Sequence, residues 1–109
     1  MDQSLNPYSR QSREIVMGIR IVTRAISTDN TFSDRVQLAG YFNVSLSGTW
    51  FGTITCQRSF DQGSTWFDVK DWTENIQEYG FEPERGVWYQ IGFKAGGYAS
   101  GTAAVRLSQ

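Results

Sequence analysis

Apolar and polar residues alternate along much of this chain, and a period of two is the signature of strands covered on one face. From Ile15 onward Ile15, Met17, Ile19 and Ile21 share one side, Gly18, Arg20 and Arg24 the other, with Val16, Val22 and Ile26 among them. A helix is the competing reading, but Gly18 and the run of β-branched residues weigh against it. A long first strand is therefore predicted, followed by a loop over residues 27–34, where Ser, Thr, Asn and Asp dominate. Strands at 36–38 and 42–46 flank Ala39-Gly40, with Phe42, Val44 and Leu46 on one side and Asn43, Ser45 and Ser47 on the other. Ser47-Gly48-Thr49 is predicted to turn the chain into its central hairpin.

That hairpin occupies residues 50–69. Phe51, Thr53, Ile54 and Thr55 precede its turn, Thr65, Trp66, Phe67 and Val69 follow it, and Asp61-Gln62-Gly63-Ser64 makes it. An Asp side chain accepts hydrogen bonds from backbone N–H groups further along, and Gly63 can take the positive φ of a compact turn. Asp61, Gly63 and Trp66 are thus structural residues. On the first strand Trp50, Ile54, Cys56 and Phe60 share a face with Gly52 and Arg58. Arg58 must snorkel at the sheet margin or pair with a carboxylate such as Asp61 or Asp68, and the pairing is the preferred reading.

Residues 71–86 are acidic and irregular, with a strand expected near 72–79 and a loop through Pro83 and Gly86. Val87, Tyr89, Ile91 and Phe93 then alternate against Trp88, Gln90 and Lys94. After a Gly-rich turn at 95–101, Ala103, Val105 and Leu107 point inward on the last strand. Eleven Gly and sixteen aromatic residues, with few Ala or Leu, suit this pattern. The fold class expected is all-β: a single antiparallel β-sandwich or jelly-roll-like domain of about seven to eight strands. No internal repeat is visible, which argues against a propeller.

Residues 1–14 break the pattern, being almost wholly polar with Pro7 and no period. The division expected is an extended N-terminal arm at 1–14 and a sandwich at 15–109. Leu5, Pro7 and Tyr8 offer apolar anchors and Arg10 and Arg13 offer charges, so the arm is either a disordered tail or a segment that orders on a partner.

Ten Lys and Arg against eleven Asp and Glu leave a net charge of −1, too little basic field to hold a nucleic-acid backbone. No apolar run is long enough to span a bilayer, and the N-terminus lacks the apolar core of a signal peptide, so a soluble protein without a membrane partner is expected. Histidine is absent, which removes the commonest general base and metal ligand. Cys56, the only cysteine, sits in a strand as a small core residue, without an internal disulfide or an activating partner. Asp68 with Asp71, Glu74 with Glu78 and Glu82 with Glu84 are the carboxylate pairs a glycosidase would need, but a domain this small has little room for a cleft between them. Asp29, Asn30 and Asp34 fail the EF-hand spacing. The expectation is no enzyme, no metal and no cofactor. Four Trp and five Tyr point instead to binding through the surface, with Trp66, Trp72 and Trp88 either facing outward or filling the second sheet.

Two resemblances bear on this. Ser59-Phe60-Asp61-Gln62-Gly63-Ser64-Thr65-Trp66 resembles the Asp-box of sialidases and related propellers, a turn-stabilising device that implies a hairpin and no chemistry. The longer stretch from Phe42 through Trp66, followed by the closing run from Ser100 to Gln109, is similar to small β-sandwich decoration proteins, the cement or stapling proteins of tailed-phage heads of the epsilon-fifteen type. The likeness covers about residues 40–109 and carries over no individual functional residue. It implies a virion protein, made in the host cytoplasm, that sits on the capsid exterior as a homo-oligomer or as symmetric copies. There it would bridge major capsid proteins and strengthen the shell. The alternatives are a carbohydrate-binding β-sandwich, in which Trp rings stack on sugar, and a virion component at the portal or tail.

Overall fold

Residues 20–109 are described by a computed structural model, and the strand period persists through almost all of them. Seven strands form: β1 (Ile21–Ile26), β2 (Thr31–Phe32), β3 (Val36–Gly52), β4 (Ile54–Ser59), β5 (Phe67–Trp72), β6 (Ile76–Phe93) and β7 (Tyr98–Ser108). Every pairing is antiparallel, in the order β1-β7-β3-β6-β4-β5, with β2 also beside β6.

The two longest strands turn this single sheet into a sandwich. β3 pairs with β6 at Val36–Leu38 and again from Gly40, but the partner jumps from Val87 to Glu82 across that step. The three extra residues on β6 make a corner, and the sheet folds over it, since bulges are the means by which a strand passes from one layer to another. One layer holds β1, β7, the second part of β3 and the first part of β6. The other holds β2, the start of β3, the end of β6, β4 and β5. Phe42, Val44, Leu46, Ala103, Val105 and Leu107 from the first layer pack on Ile54, Cys56, Val87, Tyr89, Ile91 and Phe93 from the second. Phe42 meets Tyr89 at 4.9 Å between ring centroids and Trp50 meets Phe93 at 5.9 Å, so aromatic edges bridge the layers at both ends of the core.

Several local expectations need correcting. β1 begins at Ile21, and residues 15–19 lie outside the described residues. Ile21 is exposed, while Val22 and Ile26 face inward, because pairing with β7 sets them opposite Leu107 and Ala103. The loop at 27–34 contains the short strand β2. No turn forms at 47–49; β3 runs straight through in register with β7, Gly48 opposite Ala103. Turn-like composition there reflects close backbone approach instead. Gly48 has φ +96°, and a Cβ on it would stand 2.6 Å from the Thr102 carbonyl oxygen. The irregular region expected at 71–86 is mostly strand, but the strand expected near 72–79 is broken: β5 ends at Trp72, residues 73–75 connect it to β6 at Ile76, and the unpaired excursion of β6 lies at 83–86 between paired Glu82 and Val87. Phe60 is exposed rather than in the core.

Candidate protein-docking face

The hairpin turn between β4 and β5 is built by its own side chains. Asp61 Oδ1 accepts from the Ser59 hydroxyl at 2.7 Å and from the Thr65 N–H at 2.8 Å, while Ser59 Oγ accepts from the Gly63 N–H at 2.8 Å. Hydrogen bonds from Ser59 and Thr65 hold the Asp61 carboxyl below its ordinary pKa. Gly63 has φ +97°, and a Cβ there would crowd Arg35 and Trp66, each near 3 Å. The turn is thus occupied internally.

Beside it, the outer surface of the β6-β4-β5 layer is charged and internally bonded. Lys94 donates to Asp68 at 2.6 Å, Gln57 donates to the same carboxylate at 2.8 Å, and Gln90 donates to Gln57 at 2.8 Å. Lys94 first, then Gln57, holds the Asp68 carboxyl below the usual range. The Arg35 guanidinium covers the ring of Trp88 at 4.8 Å. Such a ladder already has its partners and has little to offer another surface.

Arg58 does pair with a carboxylate, but neither Asp61 nor Asp68 is the one. It donates to Glu82 at 2.5 Å, and Glu82, with a fully buried side chain, also accepts from the Tyr89 hydroxyl at 2.8 Å and the Glu84 N–H at 2.9 Å. Arg58 lies on the inner face of β4 and Glu82 at the corner of β6, a juxtaposition only the fold creates. The guanidinium also stacks on exposed Phe60 at 4.7 Å. This network closes the corner end of the core.

The opposite outer surface is different in kind. On β3 the outward positions are Tyr41, Asn43, Ser45, Ser47, Thr49 and Phe51. On β7 they include Thr102, Ala104 and Arg106; on β6, Gln77, Tyr79 and Phe81; on β1, Ile21, Thr23 and Ala25. Among these described outward positions Arg106 is the one charge. Tyr41 lies opposite Phe81, and Tyr79 is beside them, with ring centroids 4.8 and 5.9 Å from Tyr41. These three rings are 70 %, 56 % and 73 % exposed for Tyr41, Phe81 and Tyr79. A broad sheet face with almost no charge and an exposed aromatic cluster has the composition of the core of a protein interface.

The tryptophans do not make a second such surface. Trp50 and Trp72 are buried, with indole N–H groups donating to Asn75 at 2.7 Å and Glu78 at 3.2 Å. Trp66 and Trp88 are half-buried. Leu5, Pro7, Tyr8, Arg10 and Arg13 lie outside the described residues.

Comparison with family models, with characterised proteins and with solved structures finds no match.

Cys56 is buried in the core, and burial pushes its thiol up to about 12. Glu78 is engaged by Lys70 at 2.9 Å and by Trp72. Among the described residues no group of three metal-ligating side chains comes together, and no helix is long and apolar enough to cross a membrane.

The uncharged aromatic face was not foreseen from the sequence, which pointed to the tryptophans for exposed aromatics. A signal was present: six successive outward positions of β3 carry no charge, although a solvated strand face ordinarily carries several.

Proposed function

We propose that this protein is a non-enzymatic structural protein that docks on a protein lattice through the outer face of the β1-β7-β3-β6 layer. The observation that carries the reading is the contrast between that face, uncharged but for Arg106 and bearing exposed Tyr41, Tyr79 and Phe81, and the charged, self-bonded face behind it. The resemblance to phage decoration proteins supplies the lattice: the exterior of a tailed-phage head, where copies bridge major capsid proteins and brace the shell. Such copies need no strong individual site, because contacts repeated over a symmetric shell add through multivalency.

The test is cosedimentation with capsids assembled without this chain. Tyr79→Ser combined with Phe81→Ser should weaken attachment at least about tenfold, or 1.4 kcal/mol, with the melting temperature little changed because both rings are exposed. Wild-type binding by the double variant would move the docking surface elsewhere. A wild-type protein that ignores capsids and binds a glycan array would replace the reading with sugar recognition.

A further inference from the structure

We propose that the partner of this face is a protein surface that presents a carboxylate to Arg106, and that this contact selects the partner and sets its register. The inference rests on the docking reading above and specifies what must lie opposite.

Arg106 stands on β7 with Thr23 of β1 on one side and Ser45 of β3 on the other. It borders two shallow hollows, of about 330 and 270 Å³, one toward β1 and one toward Tyr79. Among the described residues it forms no ion pair and no hydrogen bond, whereas most other cations are engaged. Lys70 pairs with Glu78, Lys94 with Asp68 and Arg58 with Glu82, and Arg24 donates to the Phe32 carbonyl at 2.7 Å. A surface that covered this face with uncharged groups alone would desolvate a guanidinium at a cost nothing compensates. A carboxylate placed over Arg106 removes that cost, and the planar guanidinium binds it in a defined bidentate orientation. The described outward positions of this face offer a second copy no carboxylate, and Glu78, which lines the hollow toward Tyr79, is already held by Lys70 and Trp72.

Three substitutions separate the possibilities, since exposed Arg106 can be changed without disturbing the core. In the same capsid titration, Arg106→Gln should weaken binding at least about thirtyfold, Arg106→Lys should retain part of it, and Arg106→Glu should abolish it, all with unchanged melting temperatures. Wild-type attachment should fall as salt rises, and that dependence should flatten in Arg106→Gln. If the Arg106 variants bind like wild type while the Tyr79/Phe81 variant does not, the face docks without a carboxylate and the inference fails alone. If neither set alters binding, or the wild type does not bind, the docking reading fails with it. Sedimentation of the protein by itself supplies the last check: self-association lost in the Tyr79/Phe81 variant would make a second copy the occupant and overturn the inference.

Discussion

Glu82 has the most demanding environment of any side chain described, because its buried carboxylate is shared by Arg58, Tyr89 and the Glu84 N–H. Removing it leaves a guanidinium and a hydroxyl without their partner. Glu82→Ala should therefore cost about 2–4 kcal/mol, somewhat below a fully enclosed pair because Arg58 keeps 29 % of its side chain in solvent. Tyr89→Phe removes one of three bonds and should cost about 1 kcal/mol. Urea unfolding of both variants measures this, and a loss under about 0.5 kcal/mol for Glu82→Ala would mean that the network does not brace the corner. The alternation put Arg58 on the inner face and left it to snorkel or to pair with an acid, Asp61 or Asp68 being the preferred partners. It could not find Glu82, which lies 24 residues away across a bend.

At the level of elements, β3 and β6 decide the architecture, and their glycines decide how closely strands approach. Gly48 combines positive φ with a backbone oxygen where a Cβ would sit. Gly48→Ala should destabilise the protein by at least about 2 kcal/mol, or roughly 10 °C in the thermal midpoint. Gly48→Asn distinguishes the two causes. Asn tolerates positive φ better than Ala, so it would recover stability if conformation alone mattered, whereas the Thr102 oxygen predicts no recovery. A midpoint for Gly48→Asn near that of wild type would place residues 47–49 in an open turn after all. The composition Ser-Gly-Thr is the same for a turn and for a close strand crossing; only the partner strand β7 distinguishes them.

For the whole molecule, the burial that makes the core also sets a limit on alkaline stability. Cys56 has its pKa raised by burial from 9.0 to about 12, so the unfolded chain loses this proton first as pH rises. The stability it contributes is complete below pH 9.0 and is lost progressively toward pH 12, a few kcal/mol in all. Tyr89, raised by burial and by its bond to Glu82, adds to the same limb. Cys56→Ala should be the less stable protein at pH 8, by roughly 1 kcal/mol for the lost packing, yet the more stable one by about pH 11. Urea unfolding at several pH values under reducing conditions reads this directly, and parallel profiles would show that the thiol ionises in the folded state. In acid the sign reverses: Asp29, Asp61, Asp68 and Glu78 are all held below their ordinary values, so their contribution is present above about pH 4 and disappears as pH falls.

Alternation alone made the chain legible as all-β, and it identified the inward set Phe42, Val44 and Leu46, Val87, Tyr89, Ile91 and Phe93, and Ala103, Val105 and Leu107, because the side-chain period of a strand is a local property. The turn at Asp61 and Gly63 was equally legible, since every hydrogen bond in it spans four residues or fewer. Local pattern left open which strands continue through apparent turns, which acid meets Arg58, and which outward residues stand side by side. Those depend on pairing between residues far apart in the chain: Tyr41 joins Phe81, and Arg106 joins Ser45, only once β3 lies between β6 and β7. The uncharged aromatic face is a property of that assembly, because its character comes from neighbours across strands rather than along one.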